Sequence, residues 1–225
     1  MKTEKIFLIL SLLFLVGCEN KHNAKNSLSE SNLIGKVNLI DSEEYSIVYK
    51  FGEVQKDSLI SKSKKKYDEK GNLIVDLIYN PDGSFESEYT FKYDEKGNKI
   101  EGKIFNAGLE GKITLKYDEK GNKMEEIIHN HVGSLVLRVT FKYDEEGYDI
   151  EEKWYNLDGS LYNKYTFKYD EKGNKIEENV YNPDYILESK WNYNYEFDYT
   201  GNWLKCITTC NNKIVQIEER KIIYY

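Results

Sequence analysis

The stretch LYNKYTFKYDEKGNKIEENVYNPD, residues 161–184, decides the fold. Its first half alternates. Leu161, Asn163, Tyr165, Phe167 and Tyr169 take one side, and Tyr162, Lys164, Thr166 and Lys168 the other. A period of two makes a strand with an aromatic face and a charged face. Asp170-Glu171-Lys172-Gly173 then reads as a hairpin turn, with Asp capping local amides and Gly supplying a positive φ. A shorter strand follows, in which Ile176 and Val180 share a face against Lys175, Glu177, Asn179 and Tyr181. Asn182-Pro183-Asp184 opens a second turn, where Pro presets φ.

This unit recurs. YDEKGN or a variant begins at Tyr67, Tyr93, Tyr117, Tyr143, Tyr169 and, as FDYTGN, at Phe197. The units are 71–96, 97–120, 121–146, 147–172, 173–200 and 201–225, so residues 71–225 hold six hairpin repeats, the last an atypical cap. A degenerate first β unit is expected within 33–70. Both turns join antiparallel neighbours, which predicts an all-β antiparallel hairpin-repeat meander of about 12–14 strands in a twisted or curled sheet. The 20 Tyr favour strands, and only Ala24 and Ala107 represent the best helix former. The aromatic face (Tyr89, Phe91, Tyr93; Tyr165, Phe167, Tyr169) must be covered. The sheet can curl around it, fold into two layers or hold a partner there. Tyr79, Phe105, Tyr155 and Tyr181 fall on the opposite face. With Trp154 and Trp191 they are the candidates for an exposed binding surface.

The chain begins with Lys2 and Lys5, an apolar run from Ile6 to Val16, and Gly17-Cys18. Eleven residues are too few to span a bilayer, which takes about 20 in a helix. Basic start, short apolar helix and small-residue exit make residues 1–17 a signal peptide. Leu15-Val16-Gly17-Cys18 resembles the bacterial lipobox, which implies cleavage before Cys18 and lipidation of its thiol. Residues 18–32, rich in Asn, Ser and Lys, read as a flexible tether between lipid and domain. The expected location is the bacterial cell envelope, at an outer membrane or cell surface, with the membrane itself as a partner through the anchor.

The whole chain carries 32 basic and 39 acidic residues, net −7. Without Lys2, Lys5 and Glu4 the mature part has 30 and 38, net −8. An acidic surface repels phosphate backbones, which excludes nucleic acid as a partner. No GxSxG, HExxH, phosphate loop or dinucleotide fingerprint occurs, so no enzyme activity and no cofactor are expected. Each acidic residue of the repeats recurs as a unit position, which reads as structural. Cys206 and Cys210 are four residues apart, roughly 13 Å on an extended strand, whereas a disulfide needs Cα atoms within about 7 Å. Two unpaired thiols are therefore the leading reading, and a bridge needs a kink between them. His129 and His131 lack a third ligand, and one Asp and one Glu beside a Lys are too few oxygens for calcium, so no metal is expected.

The recurring YDxxG string followed by Asn and an aliphatic residue resembles the YD repeat of the RHS family over about residues 65–225. A weaker resemblance is to MORN-like hairpin repeats. The first implies an extended, spiralling sheet of hairpins at a bacterial surface or in a toxin-delivery protein, in some members binding carbohydrate. The leading function is a non-enzymatic lipoprotein presenting a β-repeat surface to carbohydrate or another envelope protein. An immunity protein that occupies a toxin is the alternative, and a carboxylate-dependent hydrolase the third.

Overall fold

A computed structural model describes residues 27–225 except 96 and 107. The signal peptide, Cys18 and the first part of the tether lie outside the described residues. After a one-turn helix α1 (Ser27–Glu30) come fourteen strands: β1 (Val37–Lys50), β2 (Glu53–Tyr67), β3 (Leu73–Tyr79), β4 (Phe85–Tyr93), β5 (Lys99–Asn106), β6 (Leu109–Tyr117), β7 (Lys123–His129), β8 (Leu135–Tyr143), β9 (Asp149–Tyr155), β10 (Leu161–Tyr169), β11 (Lys175–Tyr181), β12 (Leu187–Phe197), β13 (Trp203–Cys210) and β14 (Lys213–Tyr224).

Every strand pairs antiparallel with its sequence neighbours, and β1 pairs with β14, so the meander closes into a barrel. The strand number agrees with the expectation. The open twisted or curled sheet does not, because the curl runs to closure. An even count makes the first and last strands antiparallel, so the seam continues the ladder and closes the wall from Val37 to Ser46 of β1.

Four residues of the repeated YDEKGN string, Tyr, Asp, Gly and Asn, have a local task. The Tyr hydroxyl donates to a carbonyl of the preceding strand: Tyr93 to Leu73 O at 2.7 Å, Tyr117 to Lys99 O at 2.8 Å, Tyr169 to Asp149 O at 2.7 Å. Asp170 Oδ1 accepts from the amides of Lys172 and Asn174, and its Oδ2 accepts from the Asn174 side chain at 2.9 Å. Gly173 has φ +83°. The same clasp holds Asp68–Asn72, Asp94–Asn98 and Asp118–Asn122. After each of these turns the register slips by one, leaving Ile74, Ile100, Met124, Ile150, Ile176 and Leu204 as bulge residues.

The end of the barrel that carries these turns is closed by residues 27–34. Leu28 N donates to Gly71 O at 3.0 Å, and Asn32 Nδ2 donates across the mouth to Asn174 Oδ1 at 2.8 Å. Ile34 exchanges hydrogen bonds with the Asn202 side chain at 2.7 and 2.8 Å. Leu28 and Leu33 bury against Val37, Ile40, Tyr67 and Leu73. Residues 27–32, expected as the end of a tether, are thus packed as a plug. No described segment crosses the other end, where turns such as 80–84, 130–134 and 156–160 lie.

Candidate functional site

The barrel wall sorts the side chains. Outward on β5, β7, β9 and β11 stands a Glu clamped by cations, whereas β3 has Val75 and β13 Lys205 at that position. Glu101 pairs with Lys92 at 3.0 Å and Lys112 at 3.7 Å, and Glu177 with Lys168 at 2.9 Å and Lys190 at 2.7 Å. Hydrogen bonds from Lys168, Lys190 and Asn179 hold the Glu177 carboxyl down at about 2. A barrel that spans a membrane shows lipid an apolar band about 25 Å tall. This outer face, ringed by ion pairs, belongs in water.

The aromatic ladders face the lumen, so their cover is the barrel itself. Trp154, Tyr165, Val139, Phe141 and Val180 form one buried cluster, with Phe167 and Trp191 packed against it. Trp154 and Tyr165 rings lie 5.0 Å apart, and the indole N–H donates to Glu152 Oε2 at 2.8 Å.

The lumen also holds a layer of charge that the sequence reading missed. The second Glu of the GNKIEE segment points inward, where Lys three residues earlier reaches it. Lys123 meets Glu126 at 2.9 Å and Lys175 meets Glu178 at 2.7 Å. The ammonium also covers an aromatic ring: Lys99 lies 4.3 Å from Phe91, Lys123 4.1 Å from Phe141 and Lys175 5.1 Å from Phe167. In the unit 97–120 the carboxylate position is Gly102, where a Cβ would meet Ile113 Cβ at 3.0 Å and Phe91 Cδ1 at 3.1 Å. The tight wall excludes a carboxylate there.

Unit 147–172 departs from this scheme. Asp149 replaces the Lys, and two carboxyls, Asp149 and Glu152, are buried and hydrogen-bonded to each other. Such a bond needs one proton between them. Burial and then the Glu152 carboxylate push Asp149 well above the ordinary range, against Lys123. Burial pushes Glu152 up too, against the Trp154 indole, Lys123 and Lys175. Unfolded carboxyls titrate near 4, so the folded state binds more protons as pH rises past that value. The linkage sign is then fixed. Stability is highest at or below about pH 4 for this pair and falls as pH rises through the raised folded values. Asp149→Asn should flatten that slope and raise stability at pH 8 by on the order of 1–3 kcal/mol, the usual penalty of an ill-satisfied buried polar group. Urea unfolding of both proteins from pH 5 to 8 checks this, and parallel slopes would refute it.

The predicted surface residues separate. Tyr79, Phe105, Tyr155 and Tyr181 alternate with inward residues and lie on the outer wall beside the unplugged end. Tyr79 and Phe85 rings are 6.4 Å apart, and Phe85 and Phe105 6.1 Å, forming one strip in which both Phe rings are exposed and Tyr79 is half-buried. Arg138 lies 5.1 Å from the Tyr155 ring and Lys164 5.4 Å from the Tyr181 ring. Trp154 and Trp191 are not on that surface. Trp154, only 2% exposed, and Trp191, which donates to Ser189 Oγ at 2.9 Å, both face the lumen. Turn apices at the same end expose Phe51, Val132, Leu157, Tyr185 and Ile186.

Cys206 and Cys210 are both free thiols on the inner face of the unkinked strand β13. Burial raises the Cys206 thiol to about 12, which leaves it protonated and unreactive. Among the described residues no group of three or more His, Cys, Asp or Glu side chains is placed to hold a metal.

No protein-family model matches the chain, and no curated protein matches it. Among solved structures, it is similar to a porin-like protein from Bacteroides uniformis, at 14% identity over 83% of this chain and 96% of that one, with a TM-score of 0.48. A porin-like protein from Bacteroides vulgatus gives 12% identity, 85% and 99% coverage and a TM-score of 0.47. A LolA superfamily protein from Nitrosomonas europaea gives 9%, 83%, 84% and 0.35. The YD-repeat and MORN-like resemblances are corrected accordingly: no family model supports them, and the chain closes into a barrel. The physical reason is that Tyr, Asp, Gly and Asn are each demanded locally by the bulged hairpin. Their recurrence reports turn geometry rather than kinship.

Proposed function

We propose that this chain is a non-enzymatic binding barrel of the bacterial cell envelope, tethered by lipid on Cys18. Its outward aromatic strip would meet a carbohydrate or another envelope protein. The observation that carries the reading is the run Tyr79–Phe85–Phe105 beside the unplugged end, with both Phe rings exposed. Such rings are suited to stacking on sugar faces or to burial in a protein contact. The tether's geometry supports it. Cys18 lies nine residues before Ser27, a reach of at most about 30 Å. Ser27 enters at the plugged end, which turns the strip away from the membrane. The lumen carboxylates support the non-enzymatic part, because Glu152 and Glu178 are buried and tied to an indole or a lysine.

The test has two arms. Palmitate labelling should mark the wild type and not Cys18→Ser. Binding to a glycan array or capture of one envelope protein should weaken at least tenfold in Phe85→Ser/Phe105→Ser. Blank results from the wild type in both binding assays would sink the binding role.

A further inference from the structure

The inner face of β14 holds two opposite charges that do not meet. Glu218 lies opposite the buried Cys206, so it points into the lumen, and Arg220 follows it on the same face. Side chains two apart on a strand stand about 7 Å from each other, close enough for a glutamate and an arginine to pair. Arg220 is held away instead. Its Nε donates to Trp203 O at 2.6 Å, and its Cζ lies 3.4 Å from the Trp203 ring centre. The guanidinium is buried, and its Nη2 has no hydrogen-bond partner. Burial brings its pKa down to about 10, which leaves it a cation at neutral pH. Asp76, another carboxylate of this inner wall, lies 3.9 Å from Lys65 and answers that charge.

Glu218 is just as short of a partner. Across the seam it faces a second carboxylate, Glu44, and like charges directly opposite each other destabilise a sheet. Glu44 accepts from Ser61 Oγ at 2.9 Å, and among the described residues no cation bonds to either carboxylate. Burial and then the Glu218 charge raise the Glu44 pKa, against the Ser61 hydroxyl. The Cys206 thiol feels the charges of both Glu218 and Arg220, so the two heads converge on one stretch of wall. That stretch has room and a way in. Ser42 stands opposite Arg220 and Ser63 opposite Ser42, two small side chains in a row. Glu44 and Glu218 are half-buried, one inward layer from the Ser46–Gln216 pair that ends the seam at the unplugged mouth. A buried charge without its counter-charge is costly, and here both signs are left over side by side. We propose that this stretch of the lumen binds an α-amino acid as its zwitterion. The carboxylate lies on Arg220, deeper in the barrel, and the ammonium lies between Glu218 and Glu44, nearer the mouth. Ammonium and carboxylate share one carbon in such a ligand, so nitrogen and oxygen are roughly 3 Å apart. With a hydrogen bond of about 2.9 Å at each end, a bent span matches the about 7 Å between the two side chains. A zwitterion with its charges several carbons apart overshoots.

The experiment dialyses the full-length protein in detergent against an equimolar mixture of the common L-α-amino acids and reads retention by mass spectrometry. At least one should be retained. L-2-aminobutyrate should displace it at a concentration at least tenfold lower than 4-aminobutyrate, an isomer with the same two charged groups set farther apart. Glu218→Gln and Arg220→Lys should each cut retention at least tenfold, the second because an ammonium cannot present the guanidinium's paired donors from the face of Trp203. Circular dichroism shows whether each variant folds, and the isomer comparison needs only the wild type. No amino acid retained by the wild type, equal displacement by the two isomers, or undiminished retention in a folded Glu218→Gln overturns the proposal. Neither arm involves the outer aromatic strip or the lipid anchor.

Discussion

Replacing Trp154 by alanine should destabilise the barrel by about 3–5 kcal/mol, the range for deleting a large buried aromatic. In a chain of this size that lowers Tm by roughly 6–20 °C. The indole fills the space between Val139, Tyr165 and Val180, and its N–H is the donor that meets the buried Glu152. Alanine removes the packing and leaves that carboxylate short of a partner. Tyr155, the next residue, stands on the outer wall over Arg138, and Tyr155→Ala should change stability by under about 1 kcal/mol. Thermal and urea unfolding of the two variants therefore read the direction of β9. Equal effects would mean that the inner and outer faces have been misassigned.

The second large effect is expected at Glu178. It has no exposed surface, takes the Lys175 ammonium at 2.7 Å and accepts from the Tyr193 hydroxyl at 3.1 Å. Burial, the largest single influence, would lower the Lys175 pKa, but Glu178 together with Tyr195 and Glu152 outweighs it and the value is raised. Glu178→Leu strands that ammonium in the lumen and should destabilise by about 3–5 kcal/mol. Adding Lys175→Met removes the stranded charge and should recover most of the loss. A neutral Glu178→Leu, or a double variant no better than the single, would show that the pair is not buried as described.

Much of this was legible in the sequence, and the misses have definite causes. Period-two alternation marked Tyr165, Phe167 and Tyr169 as one face that had to be covered and left open by what. The bulge at Tyr162 turned Leu161 to the outer side opposite Tyr155, while Asp-Glu-Lys-Gly marked the turns. Closure was not legible, because whether a meander meets its own first strand depends on strand tilt and accumulated curl rather than on any residue. Trp154 was placed outward beside Tyr155, although adjacent strand residues cannot share a face; the alternation itself held the answer. The inward carboxylates hid for a different reason. In GNKIEE the bulge at the Ile breaks the alternation, so counting from the Lys puts the wrong Glu inside. Asp149 was visible as a departure from the unit consensus, but its meaning needed the neighbouring Glu152. Leu28, a single apolar residue in a polar run, gave too little signal to expose the plug.

The seam between β1 and β14 has a consequence for how the molecule comes to exist. Thirteen of its strand pairings join neighbours in sequence, so hairpins can form as the chain emerges. The fourteenth joins Val37 to Tyr224 and has to wait until all the strands between them have been made. Closing so long a loop carries an entropic penalty that earlier pairings repay only in part. Until then the growing sheet offers an unpaired strand at each end. A chain that stalls before β14 keeps every earlier hairpin and still cannot finish, which makes the twelve residues of β14 the latch of the whole assembly.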